Sequence, residues 1–245
     1  VKTQEHIQVK QDKDDFEYTP RIYWTPNSKN LCVLKLNRHQ NHLKIVFSDP
    51  KTGKNKKIYK EKDNAYIDIH DNLTFINNGF IWTSEKDGFN HIYKYSYDSE
   101  SLTQITKGNW EVTNFYGYDN NKKLIYFQSN EESPLKKHIY SIKITGDRKR
   151  KLSKFDGVNN AVFSKKFQYF INTNSNANKP NYITLNNKKG ELIRVLKKSE
   201  KLNNILSEHS LTKKEFFKFN TDYGVSLNGW IMKPLDFNPN KKYPV

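Results

Sequence analysis

The chain has 245 residues, a formal charge of +16 and an apolar share of only 35%. Phe, Trp and Tyr make up 14% of it, too aromatic for a disordered chain, and aromatic residues in short runs favour an all-β architecture. No stretch is long and apolar enough to cross a bilayer as a helix. The polar opening from Val1 to Lys10 lacks the apolar core of a signal peptide, so the sequence reads as starting mid-protein.

The charge invites a nucleic-acid partner. The lysines, however, run the whole length of the chain beside abundant Asn. They gather at turns, as at 54–57 and 148–151, where solvated charge is expected. On that pattern no nucleic-acid partner is expected. The single cysteine, Cys32, lies between Leu31 and Val33; it can form no internal disulfide and reads as a buried, inert thiol.

Taken in chain order, the strands repeat one grammar. In the first unit a strand at 21–24 ends in a polar turn, a hydrophobic strand follows at 31–34, and a third strand at 42–47 leads through the turn at 49–54 to an outer strand at 56–59. The second unit has strands at 73–75, 80–83, 91–95 and 103–105, with its turn at 97–101. The third has 112–115, 124–127, 138–142 and 151–152, with its turn at 145–147. The fourth has 160–163, 169–171, 182–185 and 192–196, with its turn at 186–190. The turn before the last strand recurs about every 45 residues, the period of a four-stranded propeller blade. Many strands are apolar almost throughout, as in sheets covered on both faces. A β-sandwich does not account for four equal four-strand units.

The grammar changes after Leu196. Leu202, Ile205 and Leu206 fall at helical spacing within 199–210, with Ser199 as N-cap. Glu215-Phe216-Phe217-Lys218-Phe219, a turn at 221–224 and Val225-Ser226-Leu227-Asn228-Gly229-Trp230-Ile231-Met232 read as a hairpin. The closing Lys242-Tyr243-Pro244-Val245 would open another strand, so the end of the sequence reads as a fragment boundary.

Several stretches occur in family order across nearly the whole chain. They include Tyr18-Thr19-Pro20-Arg21-Ile22-Tyr23-Trp24-Thr25-Pro26, Trp82-Thr83-Ser84-Glu85-Lys86-Asp87-Gly88-Phe89-Asn90-His91-Ile92-Tyr93, Thr106-Lys107-Gly108-Asn109-Trp110-Glu111-Val112 and Gly229-Trp230-Ile231-Met232-Lys233-Pro234. As an ordered set they resemble the dipeptidyl peptidase IV branch of the prolyl oligopeptidase clan, and more closely its bacterial members. That family pairs an eight-bladed propeller with a C-terminal α/β-hydrolase domain. The resemblance implies that 1–198 hold the end of one blade and four further blades, about half of the propeller. It implies that 199–245 hold a linker helix and the first hairpin of a truncated hydrolase domain. It implies a parent serine exopeptidase, periplasmic or secreted and homodimeric, that needs no cofactor. Such an enzyme removes N-terminal dipeptides with Pro or Ala second; a prolyl tripeptidyl peptidase of the same clan is the close variant. A free-standing propeller that binds proteins or glycans is the rival from another class, and the closing hairpin argues against it.

The family's nucleophile lies in a Gly-x-Ser-x-Gly elbow. None occurs here, so no catalytic residue is expected in this chain. The family also grips the substrate's free amine with adjacent glutamates, since an ammonium in a partly dry cavity needs carboxylate partners. Glu131-Glu132 is the one adjacent pair, but the resemblance places the family's pair in an earlier blade, and this one reads as a solvated loop. Asp68, His70 and Asp71 lead into the second unit, where the family brings propeller side chains toward the substrate cavity. They are the substrate-cavity candidates; the competing reading is loop charge that satisfies turns. Three residues do not make a metal site, and no metal is expected. Asp87-Gly88 reads as a hairpin turn, and Trp110-Glu111-Val112 as blade packing in which Glu111 bonds backbone groups.

Overall fold

The computed structural model describes residues 6–10, 16–209 and 211–244. The first four strands, β1 (Phe16–Trp24), β2 (Leu31–Asn37), β3 (His42–Ser48) and β4 (Asn55–Lys62), form one antiparallel sheet in sequence order. A second sheet holds β5 (Thr74–Ile76), β6 (Gly79–Ser84), β7 (His91–Ser96) and β8 (Ser101–Gln104). The third holds β9 (Val112–Asp119), β10 (Leu124–Ser129), β11 (His138–Lys143) and the two-residue β12 (Arg150–Lys151). The fourth holds β13 (Val158–Phe163), β14 (Tyr169–Asn176), β15 (Lys179–Asn187) and β16 (Leu192–Lys197). These are the four repeating units read from the turns, and each is a blade of four antiparallel strands.

The chain divides into two compact units, residues 1–131 with 141–150, and residues 132–140 with 151–245. In the first unit the first two sheets stack face to face. All six residues of β6 are buried, as its continuous apolar pattern requires. Phe80 and Trp82 from that strand join Leu34, Leu43, Ile45 and Tyr59 of the first sheet in one core. The Tyr59 ring meets Phe80 edge-on at 6.0 Å and Tyr95 at 5.5 Å. Above them the Tyr95 hydroxyl donates to the Ile58 carbonyl at 2.5 Å. Burying each such ring contributes on the order of 1.5–3 kcal/mol. Cys32 is fully buried in this core, and burial pushes its thiol up to about 12.

The turn between the third and fourth strands of a blade does more than reverse the chain. Gly53 takes φ +67°, and a Cβ there would lie 2.1 Å from the Gln8 carbonyl oxygen. Gly190 takes φ +80°, and a Cβ there would lie 2.2 Å from the Leu152 carbonyl oxygen, just past the outer strand β12. Only glycine permits both the left-handed backbone and so close an approach. Each turn is therefore seated on the main chain that precedes its blade.

In the second unit α1 (Glu200–Glu208) follows β16, and β17 (Glu215–Asn220) pairs with β18 (Ser226–Ile231) as the expected hairpin. Ser199 corrects the sequence reading. Its backbone is left-handed, at φ 54° and ψ 38°, and its side chain makes no cap; the hydroxyl donates to the Asn181 carbonyl at 2.7 Å instead. The hydroxyl thus ties the helix entrance to β15. None of the helix residues is buried. A reciprocal side-chain amide pair fastens the β14–β15 turn to the strand entering β17. Asn178 donates to the Lys214 carbonyl at 3.0 Å and accepts the Lys214 N–H at 2.9 Å. Residues 1–5, Ser210 and Val245, on which parts of the sequence reading fall, lie outside the described residues.

Candidate functional site

A cavity of about 80 Å³ opens in the first unit between the end of β4, the loop at 63–73 and the end of β6. Four carboxylates line it: Glu61, Asp63, Asp68 and Glu85; Lys86 is the only Lys or Arg among its lining residues. This is an acid-lined recess in a chain of net charge +16. Glu61 is anchored from both sides: Ser84 Oγ donates to one oxygen at 2.5 Å and Tyr59 OH to the other at 2.7 Å. The Glu85 carboxyl is pushed up, first by partial burial and then by Asp68, Glu111, Asp63 and Glu61. Converging negative charge of this kind favours a cation over an anion as occupant.

His70 forms one wall of the cavity, with its ring 4.1 Å from that of Trp82. Both ring nitrogens are engaged. The Asn72 N–H donates to Nδ1 at 3.2 Å, so Nε2 carries the hydrogen and donates to the Thr83 carbonyl at 2.7 Å. The ring is neutral in this arrangement. Burial lowers its pKa, against the opposing pull of the Thr83 bond and of Glu61, Asp68 and Asp71. The three sequence candidates therefore separate. Asp68 and His70 line the cavity. Asp71 turns away to Arg21 of β1, which donates to it at 2.5 and 3.4 Å, with the Tyr23 hydroxyl at 3.3 Å. Arg21 holds the Asp71 carboxyl below the usual range. Among the described residues, no group of three His, Cys, Asp or Glu side chains is placed to hold a metal ion.

Glu131 and Glu132 are paired rather than simply solvated. Lys149 engages Glu131, while Lys151 reaches both oxygens of Glu132 at 2.7 and 2.9 Å and Tyr140 OH donates to it at 3.1 Å. Their charge is spent on lysines at the outer strand of the same sheet. Asp87-Gly88 is the turn expected, with Gly88 N donating to the Glu85 carbonyl at 2.8 Å. Trp110 packs at the junction, edge-on to His91 at 4.8 Å. For Glu111 the reading changes: its backbone, not its carboxylate, makes the junction bonds, donating to Asn130 Oδ1 at 2.7 Å and accepting the Asn130 N–H at 3.2 Å.

Stacked blades of four antiparallel strands, with an acid-lined recess beside one of them, define the propeller class. Residues 1–181 match the family model described as the dipeptidyl peptidase IV N-terminal region, and the chain belongs to that family. It is 33% identical over 221 residues to dipeptidyl peptidase 4 of Trichophyton equinum, covering 85% of this chain and 28% of that protein. It is 29% identical to mouse dipeptidyl peptidase 8, over 93% of this chain and 32% of that protein. The crystal structure of Porphyromonas gingivalis dipeptidyl peptidase 4 matches 93% of this chain and 33% of its own, at 39% identity and a TM-score of 0.86. The chain thus spans about a third of the length of these relatives.

Proposed function

We propose that this chain is the later propeller blades and the opening of the hydrolase domain of a serine exopeptidase that removes N-terminal X-Pro and X-Ala dipeptides. The hydrolase opening is assigned to 199–245, the blades to 1–198. The observation that carries the reading is the likeness to the Porphyromonas dipeptidyl peptidase 4 along nearly the whole chain. In this reading the blades narrow access to the catalytic chamber and admit short peptides. The chemistry itself belongs to residues beyond this chain, whose sequence has no Gly-x-Ser-x-Gly. The parent is periplasmic or secreted and acts as a homodimer. Asp68 and His70 face the peptide path, where the acid-lined recess favours the cationic end of a substrate; the supports are its convergent carboxylates and the neutral, fixed His70 wall.

The test is hydrolysis of Gly-Pro-p-nitroanilide by the full-length protein. Release of nitroaniline that is abolished by a serine-directed organophosphonate is expected. Activity only on an Ala-Ala-Pro anilide would make the parent a tripeptidyl peptidase, and activity on neither would overturn the reading. Asp68→Asn should raise KM while leaving kcat near its original value, as expected for a group that binds but does not react.

A further inference from the structure

The second and third sheets carry the same polar latch at the same place. His91-Ile92-Tyr93 opens β7 as His138-Ile139-Tyr140 opens β11, and Thr106 and Ser153 follow at equal distances. In both, a hydroxyl accepts the next backbone N–H, from Ile92 at 2.9 Å or Ile139 at 3.0 Å. In both, that hydroxyl also meets Nδ1 of the histidine at 3.1 Å. In both, a backbone bond closes the junction to the next sheet: Val112 N–H to the Asn90 carbonyl at 2.8 Å, and Asn159 N–H to the Lys137 carbonyl at 2.9 Å.

The two latches differ in what faces the ring. His91 Nε2 donates to the Gly108 carbonyl at 3.0 Å, with the Asp87 carboxylate beyond at 3.9 Å, and Val112 offers Nδ1 no polar group. His138 is only 1% exposed, yet its Nε2 has no hydrogen bond. That nitrogen faces Glu132 at 3.4 Å, a carboxylate already engaged by Lys151 and Tyr140. On the other side Asn159, which replaces valine at this position, brings its side-chain amide nitrogen within 3.3 Å of Nδ1 while that nitrogen donates to the Phe155 carbonyl at 2.9 Å and the Lys137 carbonyl at 3.1 Å. Facing the Glu132 carboxylate, Nε2 carries the ring hydrogen, which leaves Nδ1 the acceptor opposite the Ser153 hydroxyl and the Asn159 amide. Asn159 is also the hub of a buried amide cluster, its Oδ1 accepting from Asn172 at 3.1 Å and from Asn174 at 3.2 Å.

We propose that the third sheet carries a proton-operated latch: when His138 gains its second ring proton, Nδ1 changes from acceptor to donor, expels the Asn159 amide and loosens the Lys137–Asn159 junction. The proton comes from solvent and sits on Nδ1, where it is donated to Ser153 Oγ. The serine's own hydrogen turns away while Oγ keeps the Ile139 N–H. The charged groups around the ring are Glu132 and Asp156, which favour the proton, and Lys151 and Lys136, which oppose it. Burial also opposes it, so the latch operates on the acid side of the ordinary imidazole range. The second sheet lacks the displaced amide and serves as an internal control.

Two measurements on this chain test the latch. Long-range nitrogen–proton NMR of the imidazoles reads the state of His138 from about pH 7.5 to about pH 4.5. Amide hydrogen exchange over the same range compares Asn159 with Val112 in one sample, each corrected for intrinsic exchange. As His138 charges, protection of Asn159 should fall about tenfold or more relative to Val112. In His138→Gln that relative change should vanish. A His138 ring that stays neutral throughout, or one that charges while the Asn159 to Val112 ratio holds constant, overturns the proposal. Both readouts come from the unsubstituted chain, so the outcome is decided even if His138→Gln does not fold.

Discussion

Removing the Phe80 ring should unfasten the first two sheets. Phe80 is fully buried, stacks on Tyr95 at 4.9 Å and meets Tyr59 of the facing sheet at 6.0 Å. Truncation of a buried Phe to Ala costs about 3–5 kcal/mol, the upper values applying where the surroundings cannot collapse. Two sheets held apart by Leu34, Leu43, Ile45, Trp82 and the two tyrosines have little freedom to close the gap. Phe80→Ala should therefore sit near 4 kcal/mol, which lowers a urea midpoint by about 1–2 M. Three of the four tryptophans, Trp24, Trp82 and Trp110, lie in the first compact unit and Trp230 in the second, so most of the tryptophan emission follows the first unit's unfolding, and Trp230→Phe as background removes the remainder. Tyr223→Ala, at a side chain 95% exposed, is the control and should stay within about 0.5 kcal/mol. A Phe80→Ala cost below about 1 kcal/mol would show that the sheets do not depend on this aromatic stack.

Three further outcomes follow from named contacts. Tyr95→Phe removes the hydroxyl that bonds the Ile58 carbonyl and should cost about 0.5–1.5 kcal/mol by urea unfolding. Gly190→Ala must hold a left-handed backbone against the Leu152 carbonyl; a loss of more than about 1 kcal/mol is expected, read as faster amide exchange in β15 and β16. Burial holds the folded His70 below its ordinary value of 6.5, so the unfolded chain binds that proton more readily. Stability should accordingly decline as pH falls below about 6.5, down through the lower folded value, and His70→Asn should flatten that part of the pH profile. An unchanged slope in the variant would place the acid sensitivity elsewhere.

The blades were legible because their signal is local and repeated. The turns at 49–54 and 186–190 recur with the strands they connect, and β6 reads as doubly covered from its unbroken apolar run. The recess was half legible. Asp68 and His70 stand in one short segment, two residues apart, whereas Glu61 is hidden in Lys60-Glu61-Lys62 and Glu85 beside Lys86, patterns that read as ordinary solvated charge. Only the stacking of β4 against β6 brings those carboxylates together. Asp71 shows the same limit from the other side, since its partner Arg21 lies on a distant strand. Ser199 and Glu111 failed for a different reason. Their residue types foretold side-chain bonds to nearby backbone, but the left-handed backbone at Ser199 and the Asn130 amide opposite Glu111 gave those positions other roles.

The glycine seats at 53 and 190 bear on the order in which the chain can assemble. A seat exists only after the main chain before it has been laid down: Gly53 needs the segment at Gln8, and Gly190 needs Leu152. These two hairpins thus close against templates made earlier in synthesis, not against ones still to come. A chain emerging from the ribosome amino end first meets its templates in the right sequence. A permuted chain that began at β13 would make that hairpin before its support at Leu152 had been made.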